Sequence, residues 1–93
     1  MRYQDIPHDQ RALTFPTSFL IKAIGITQYN IRAVLLSVLE HHQTEYAADS
    51  ITEIGSKHGK YSSVTVSITA RSRKQLDDIY EGLDARPEIV MTI

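Results

Sequence analysis

Three observations predict an α+β domain with the element order strand, helix, strand, strand, helix, strand. Phe19 to Ile24 and Ser62 to Ala70 alternate with a period of two, which is the mark of strands. Ile31 to Leu39 and Leu76 to Leu83 place apolar residues three and four apart, the stripe of an amphipathic helix. Gly25, Gly59 and Pro87 punctuate the boundaries between these segments. Two right-handed split crossovers joined by a hairpin then give a ferredoxin-like β-α-β-β-α-β sandwich. Its four-stranded antiparallel sheet has the order 4-1-3-2, with two helices on one face.

Each element follows from its residues. In the first strand Phe19, Ile21 and Ala23 alternate with Leu20, Lys22 and Ile24, and Lys22 marks the second set as the solvated face. Gly25 closes that strand, since a residue lacking Cβ permits a tight exit. The first helix should run from about Asn30 to about His42, with Ile31, Val34, Leu35, Val38 and Leu39 as its buried stripe. Asn30 or Thr27 can cap it by accepting from a free backbone N–H. Ile51 to Ile54 is a short strand at an edge, and Ser56 to Lys60, containing Gly59, is a hairpin turn. In the strand from Ser62 to Ala70, Val64, Val66, Ile68 and Ala70 point one way, and Ser63, Thr65, Ser67 and Thr69 the other. Ser72 starts the second helix with Gln75 three residues on, a capping-box spacing, and Leu76, Ile79, Tyr80 and Leu83 form the stripe. Pro87 stops helical continuation, and Ile89 to Ile93 make the last strand.

Ninety-three residues make one domain, read as residues 13–93, preceded by a loose polar arm over residues 1–12. The absence of cysteine excludes disulfides, thiolate metal sites and a cysteine nucleophile, and suits a reducing cytoplasm. A net charge of -1 argues against nucleic acid as a partner. No stretch approaches the ~20 apolar residues that span a membrane.

Two motifs carry a resemblance. Phe15-Pro16-Thr17-Ser18-Phe19, followed by Lys22 and Gly25, and Ser56, Gly59, Tyr61, Ser63 and Val64 in the hairpin resemble the YbeD-like family of small bacterial proteins. Tyr80, Leu83 and Met91 also fall where that family has them. His58 stands where a lysine is common, and Gly55 where a proline is common. The resemblance implies a ferredoxin-like fold similar to ACT-type regulatory domains, which bind amino acids or other small metabolites. It also implies lipoate metabolism as a context, because genes of the family lie near lipoate-attachment genes in some bacteria. ACT domains use the loop after the first strand, often with an Asp-Arg-Pro-Gly type sequence. Here that loop is Gly25-Ile26-Thr27-Gln28-Tyr29-Asn30, which keeps only the glycine.

The topology brings that loop beside the hairpin. A site for a small anionic metabolite is therefore expected at Gly25, Thr27, Gln28, Ser56, His58, Gly59, Lys60 and Tyr61. The glycines would allow close approach, and the first helix would present its N–H groups. The competing reading makes the same residues an ordinary turn. His41, His42 and Glu45 invite a metal, but adjacent histidines diverge on a helix and no fourth ligand is evident, so no metal and no cofactor is expected. Arg71, Arg73 and Lys74 lie at the opposite end from Lys57 and Lys60, so the basic groups form no single stripe. The open face of the central strand, Ser63, Thr65, Ser67 and Thr69, has no ring on which RNA bases could stack. An acylphosphatase-like enzyme would need an arginine in the loop after the first strand, where none occurs until Arg32; Asp77 and Asp78 are adjacent on a helix and diverge. Leu20, Ile24 and Val90 remain, apolar on the face turned from the helices, as a surface for an unknown protein partner or for a homo-oligomer. The expectation is a non-enzymatic, ACT-like regulatory or interaction module of the bacterial cytoplasm, with a small-metabolite-binding regulator as the alternative.

Overall fold

The computed structural model describes residues 14–93, so the arm expected over residues 1–12 lies outside the described residues. The elements are β1 (Thr17–Ile26), α1 (Ile31–His41), β2 (Glu45–Tyr46), β3 (Thr52–Gly55), β4 (Tyr61–Ala70), α2 (Arg73–Asp84) and β5 (Ile89–Thr92). The sheet runs β2-β4-β1-β5, with β3 also paired to β4. Every pairing is antiparallel. This is the expected 4-1-3-2 arrangement with one correction: the sheet has five strands, because two short strands share the edge position assigned to Ile51–Ile54.

The division has a hydrogen-bonding cause. β4 is ten residues long, and β3 covers only Ser62 to Thr65 while β2 covers Ile68 and Thr69. Ser67 between them still needs partners for its backbone. Ser67 N donates to Ser50 Oγ at 2.9 Å, and Ser67 O accepts from Ala47 N at 3.0 Å. A single 3-10 turn, Ala48–Ser50, thus bridges the gap and carries the chain from one short strand to the next.

The register of β1 on β4 sets Ile21 opposite Val66 and Ala23 opposite Val64. Ile21, Ala23, Val64, Val66, Ile68 and Ala70 are all buried beneath the helices, as the alternation predicts, and Phe19 packs against them. Asn30 caps α1: its Oδ1 accepts from Ala33 N at 3.1 Å. Thr27 instead bonds Ser62 Oγ at 2.9 Å. Ser72 Oγ accepts from Gln75 N at 3.1 Å, and Gln75 Oε1 reaches back to accept from Arg71 N at 2.7 Å. This is a capping box displaced by one residue. The expected stripes of both helices are buried.

β5 departs from simple alternation. Ile24 opposes Met91, yet Gly25 opposes Ile89, so Val90 is an extra residue in a β-bulge. The bulge moves Thr92 into the core beside Ala23 and turns Met91 and Ile93 to the other face.

Candidate functional site

The β1 exit and the hairpin meet as the topology requires. Thr27 N donates to Lys60 O at 2.8 Å. The hairpin closes on itself through Ser56: its N–H donates to Tyr61 O at 2.8 Å, and its Oγ accepts from Tyr61 N at 3.1 Å. Gly59 turns the chain with φ +70°, and its N–H donates to Ser56 O at 2.9 Å. Ser56 is thereby engaged in shaping the turn. Ile26, Thr27, Gln28, Gly59 and Lys60 line an open depression of about 420 Å³ at this end. Lys60 is the one charged group among the described residues of that lining, and its Nζ sits 5.4 Å from the Tyr61 ring centroid. His58 and Tyr61 are exposed but do not line the depression.

Gly25 is closely surrounded by the protein's own atoms. A Cβ there would fall 2.3 Å from Ile31 Cδ1 and 2.5 Å from Glu88 O. The missing side chain makes room for the protein's own interior. Beyond it, Ile26, Tyr29, Pro87 and Glu88 line a second depression of about 260 Å³. The Glu88 carboxyl is paired with Arg86 at 3.3 Å, and the hydrogen bond from Arg86 holds its pKa below the ordinary carboxylate value.

The face of the sheet turned from the helices is the more distinctive surface. Register places Leu20, Lys22, Ile24, Ser63, Thr65, Ser67, Ile54, Thr52 and Met91 on it. Leu20 is 65% exposed, Ile54 67%, Val90 57% and Met91 54%. Tyr61 and Ile93 join them, so every exposed large hydrophobic among the described residues except Tyr29 belongs to this face or to the bulge at its margin. Leu20, Ile24 and Val90 were legible in sequence. Ile54 was recoverable from the hairpin register, which sets it opposite Ser63. Met91 and Ile93 required the bulge.

At the far end, His41 and His42 rings are T-shaped with centroids 5.0 Å apart. Among the described residues, no three of His, Cys, Asp and Glu gather closely enough to hold a metal ion. Arg71 is paired with Glu45, and Lys74 with Asp78 at 2.8 Å, around an open depression of about 290 Å³. No helix among the described residues is long and apolar enough to cross a membrane.

Residues 10–93 match the family described as a protein of unknown function (DUF493). A UPF0250 protein of Leptothrix cholodnii is 31% identical over 90 residues, covering 97% of this chain and 99% of its own. Another from Paraburkholderia phytofirmans is 32% identical over 79 residues, covering 85% and 89%. The solution structure of protein HP0495 from H. pylori is similar with a TM-score of 0.73 at 20% identity, over 95% of this chain and 94% of that one. The ACT domain from GTP pyrophosphokinase of Chlorobium tepidum is similar with a TM-score of 0.64 at 14% identity, over 83% and 97%. Those two likenesses concern the fold, and they make it ACT-like. The profile match and the curated relatives bear out the resemblance carried by Phe15–Gly25 and the hairpin: the chain belongs to the DUF493, or UPF0250, family of small bacterial proteins.

Proposed function

We propose that this chain is a non-enzymatic protein-interaction module of the bacterial cytoplasm, with the open sheet face as its contact surface. One observation carries the reading. Among the described residues, the exposed large hydrophobics other than Tyr29 are gathered on the sheet face turned from the two helices or in the bulge at its margin. Scattered exposed aliphatics are ordinary, whereas a contiguous patch points to a partner. A photo-crosslinking residue in place of Leu20 or Ile54, in cells producing the protein, tests it. Discrete protein adducts from these positions, and none from Asp77 on the outer side of α2, are expected. Adducts from Asp77 alone would overturn the assignment.

A second reading rests on the depression of about 420 Å³ beside Lys60. Its size suits a small metabolite, and a lone lysine among Thr27, Gln28 and the glycine backbone suits an anion. On this reading the module is a metabolite-responsive regulator, with lipoate metabolism as the context the family resemblance implies. Amide-shift mapping against amino acids, lipoate and phosphorylated metabolites tests it. Saturable shifts at Thr27, Gln28 and Lys60 support it; shifts confined to His41 and Arg71 refute it.

A further inference from the structure

We infer that the two depressions flanking Ile26 form one groove, and that it takes a small carboxylate with an aromatic body and no amine beside the carboxylate. This rests on the metabolite reading above and deepens it by naming the class of ligand.

Backbone bonds set the two depressions side by side at the end of β1. Ile26 N donates to Glu88 O at 3.3 Å on one edge of the strand, and Thr27 N donates to Lys60 O at 2.8 Å on the other. Ile26 lines both the depression of about 420 Å³ beside Lys60 and the one of about 260 Å³ beside Glu88. Adjacent strands lie ~4.8 Å apart, so the two flanks of β1 are ~10 Å from each other. Joined across Ile26, the depressions have the size of an ordinary small-molecule site.

Charge orients the ligand. Lys60 has no ion-pair partner among the described residues, and its contact with the Tyr61 ring leaves the ammonium unneutralised. On the other flank Glu88 is engaged by Arg86, whose Nε donates to Oε1 at 3.4 Å and Nη2 to Oε2 at 3.3 Å. That pair carries no net charge, so an anionic group is drawn to Lys60. An α-amine would lie next to the ligand's own carboxylate and therefore beside Lys60. No acid lines that depression among the described residues, and the carboxyl of Glu88 is across β1 and already bonded. Like charge thus selects against an amino acid and for a simple carboxylate.

The walls identify the body. Tyr29 is 43% exposed, and it is the exposed large hydrophobic that the open sheet face does not account for. With Ile26 and Pro87 it lines the smaller depression. The rings of Tyr29 and Pro87 offer flat apolar surface, on which an aromatic ring gains offset or edge contact beyond its buried area. A ring joined by two carbons to a carboxylate is long enough to lie across Ile26, with its charge at Lys60 and its ring beside Tyr29. A bare carboxylate would reach only the first flank, and a ring without the charge only the second.

The probes are 3-phenylpropionate, L-phenylalanine, which adds the α-amine, and propionate, which lacks the ring. Each is titrated to roughly 10 mM against the full chain, since so small a ligand binds at about 1 mM, and amide shifts report affinity and place. 3-Phenylpropionate should give saturable shifts on both flanks, at Thr27, Gln28 and Lys60 and at Tyr29 and Glu88. It should bind about tenfold more tightly than either other probe, the worth of one charge-assisted bond or one buried ring. Lys60→Met should weaken it about tenfold while Lys60→Arg retains it. Tyr29→Ala should bring it level with propionate while Tyr29→Phe retains the difference. Both side chains are exposed, and an unchanged amide spectrum elsewhere verifies the fold of each variant. Phenylalanine binding as tightly as 3-phenylpropionate, or affinity unaltered by Lys60→Met or Tyr29→Ala, overturns the inference. Shifts at Thr27, Gln28 and Lys60 that are equal for propionate and 3-phenylpropionate, with none at Tyr29 and Glu88, remove the aromatic carboxylate and leave the anion site standing. No saturable shift with any probe, nor with the metabolites named above, removes both.

Discussion

Replacing Gly25 by alanine isolates what that glycine does. The new Cβ would stand 2.3 Å from Ile31 Cδ1, 2.8 Å from Ile31 Cγ1 and 2.5 Å from Glu88 O. Ile31 is 1% exposed and begins α1, so its side chain has no empty space to enter. Glu88 O accepts from Ile26 N at 3.3 Å, so moving the carbonyl loosens the bond that starts the β1–β5 pairing. Overpacking of this kind costs about 1–3 kcal/mol, and weakening a backbone hydrogen bond adds roughly 0.5–1.5 kcal/mol. Against these, alanine loses less chain entropy than glycine on folding, a gain of about 0.5–1 kcal/mol. The net is a loss of about 2 kcal/mol, which for a domain of this size lowers Tm by roughly 8–16 °C. Urea and thermal unfolding followed by circular dichroism measure it. Ile31→Val removes the Cδ1 atom nearest the clash. Alone it should cost about 0.5–1.5 kcal/mol, and in the Gly25→Ala background distinctly less. Gly25→Ala at or above wild-type stability, or a cycle that is additive within about 0.5 kcal/mol, would refute the packing account.

Thr44 is 7% exposed and its Oγ1 has no hydrogen-bond partner among the described residues, so Thr44→Val should raise stability by roughly 1 kcal/mol in the same unfolding assay. Glu88 has a pKa lowered by the hydrogen bond from Arg86, so its contribution is complete above the ordinary carboxylate pKa and is lost as pH falls through the depressed value. Glu88→Gln should flatten that part of the acid limb in a Tm-against-pH series, and an unchanged limb would refute the assignment. Calorimetry with zinc, nickel and copper should show no stoichiometric submicromolar binding; such binding, lost in His41→Ala, would establish the histidine pair as a metal site.

What could be read in the sequence was whatever a two- or 3.6-residue period encodes. The alternation in Val64, Val66, Ile68 and Ala70 fixes a face, and burial confirms it. The helix stripes and the Ser72–Gln75 cap are equally local signals. The split edge was not local. It depends on Ser50 reaching Ser67, seventeen residues away, and a serine in a polar stretch announces no such partner. Thr27, one of two candidate caps for α1, was claimed by Ser62 across thirty-five residues. The candidate site divides in the same way. Its neighbours follow from topology, whereas the filling of Gly25 by Ile31 and Glu88 is a matter of three-dimensional packing.

β5 shows why the apolar open face was only half visible. Strict alternation outward from Val90 would send Met91 and Ile93 inward and bring Thr92 out. Two tethers forbid it. Gly25 opposes Ile89, and Ile93 exchanges both backbone bonds with Lys22. From Gly25 to Lys22 is three residues along β1, while from Ile89 to Ile93 is four along β5. One residue has to be accommodated without a partner, and Val90 is that residue. The parity of everything after it reverses, which places Thr92 beside buried Ala23 and sets Met91 and Ile93 around Lys22. The bulge thus exchanges a polar side chain for two apolar ones on the open face. A sheet optimised only for its own stability would gain by the opposite exchange, so the apolar rim around Lys22 is set by the bulge and the two tethers that force it, not by what the core gains.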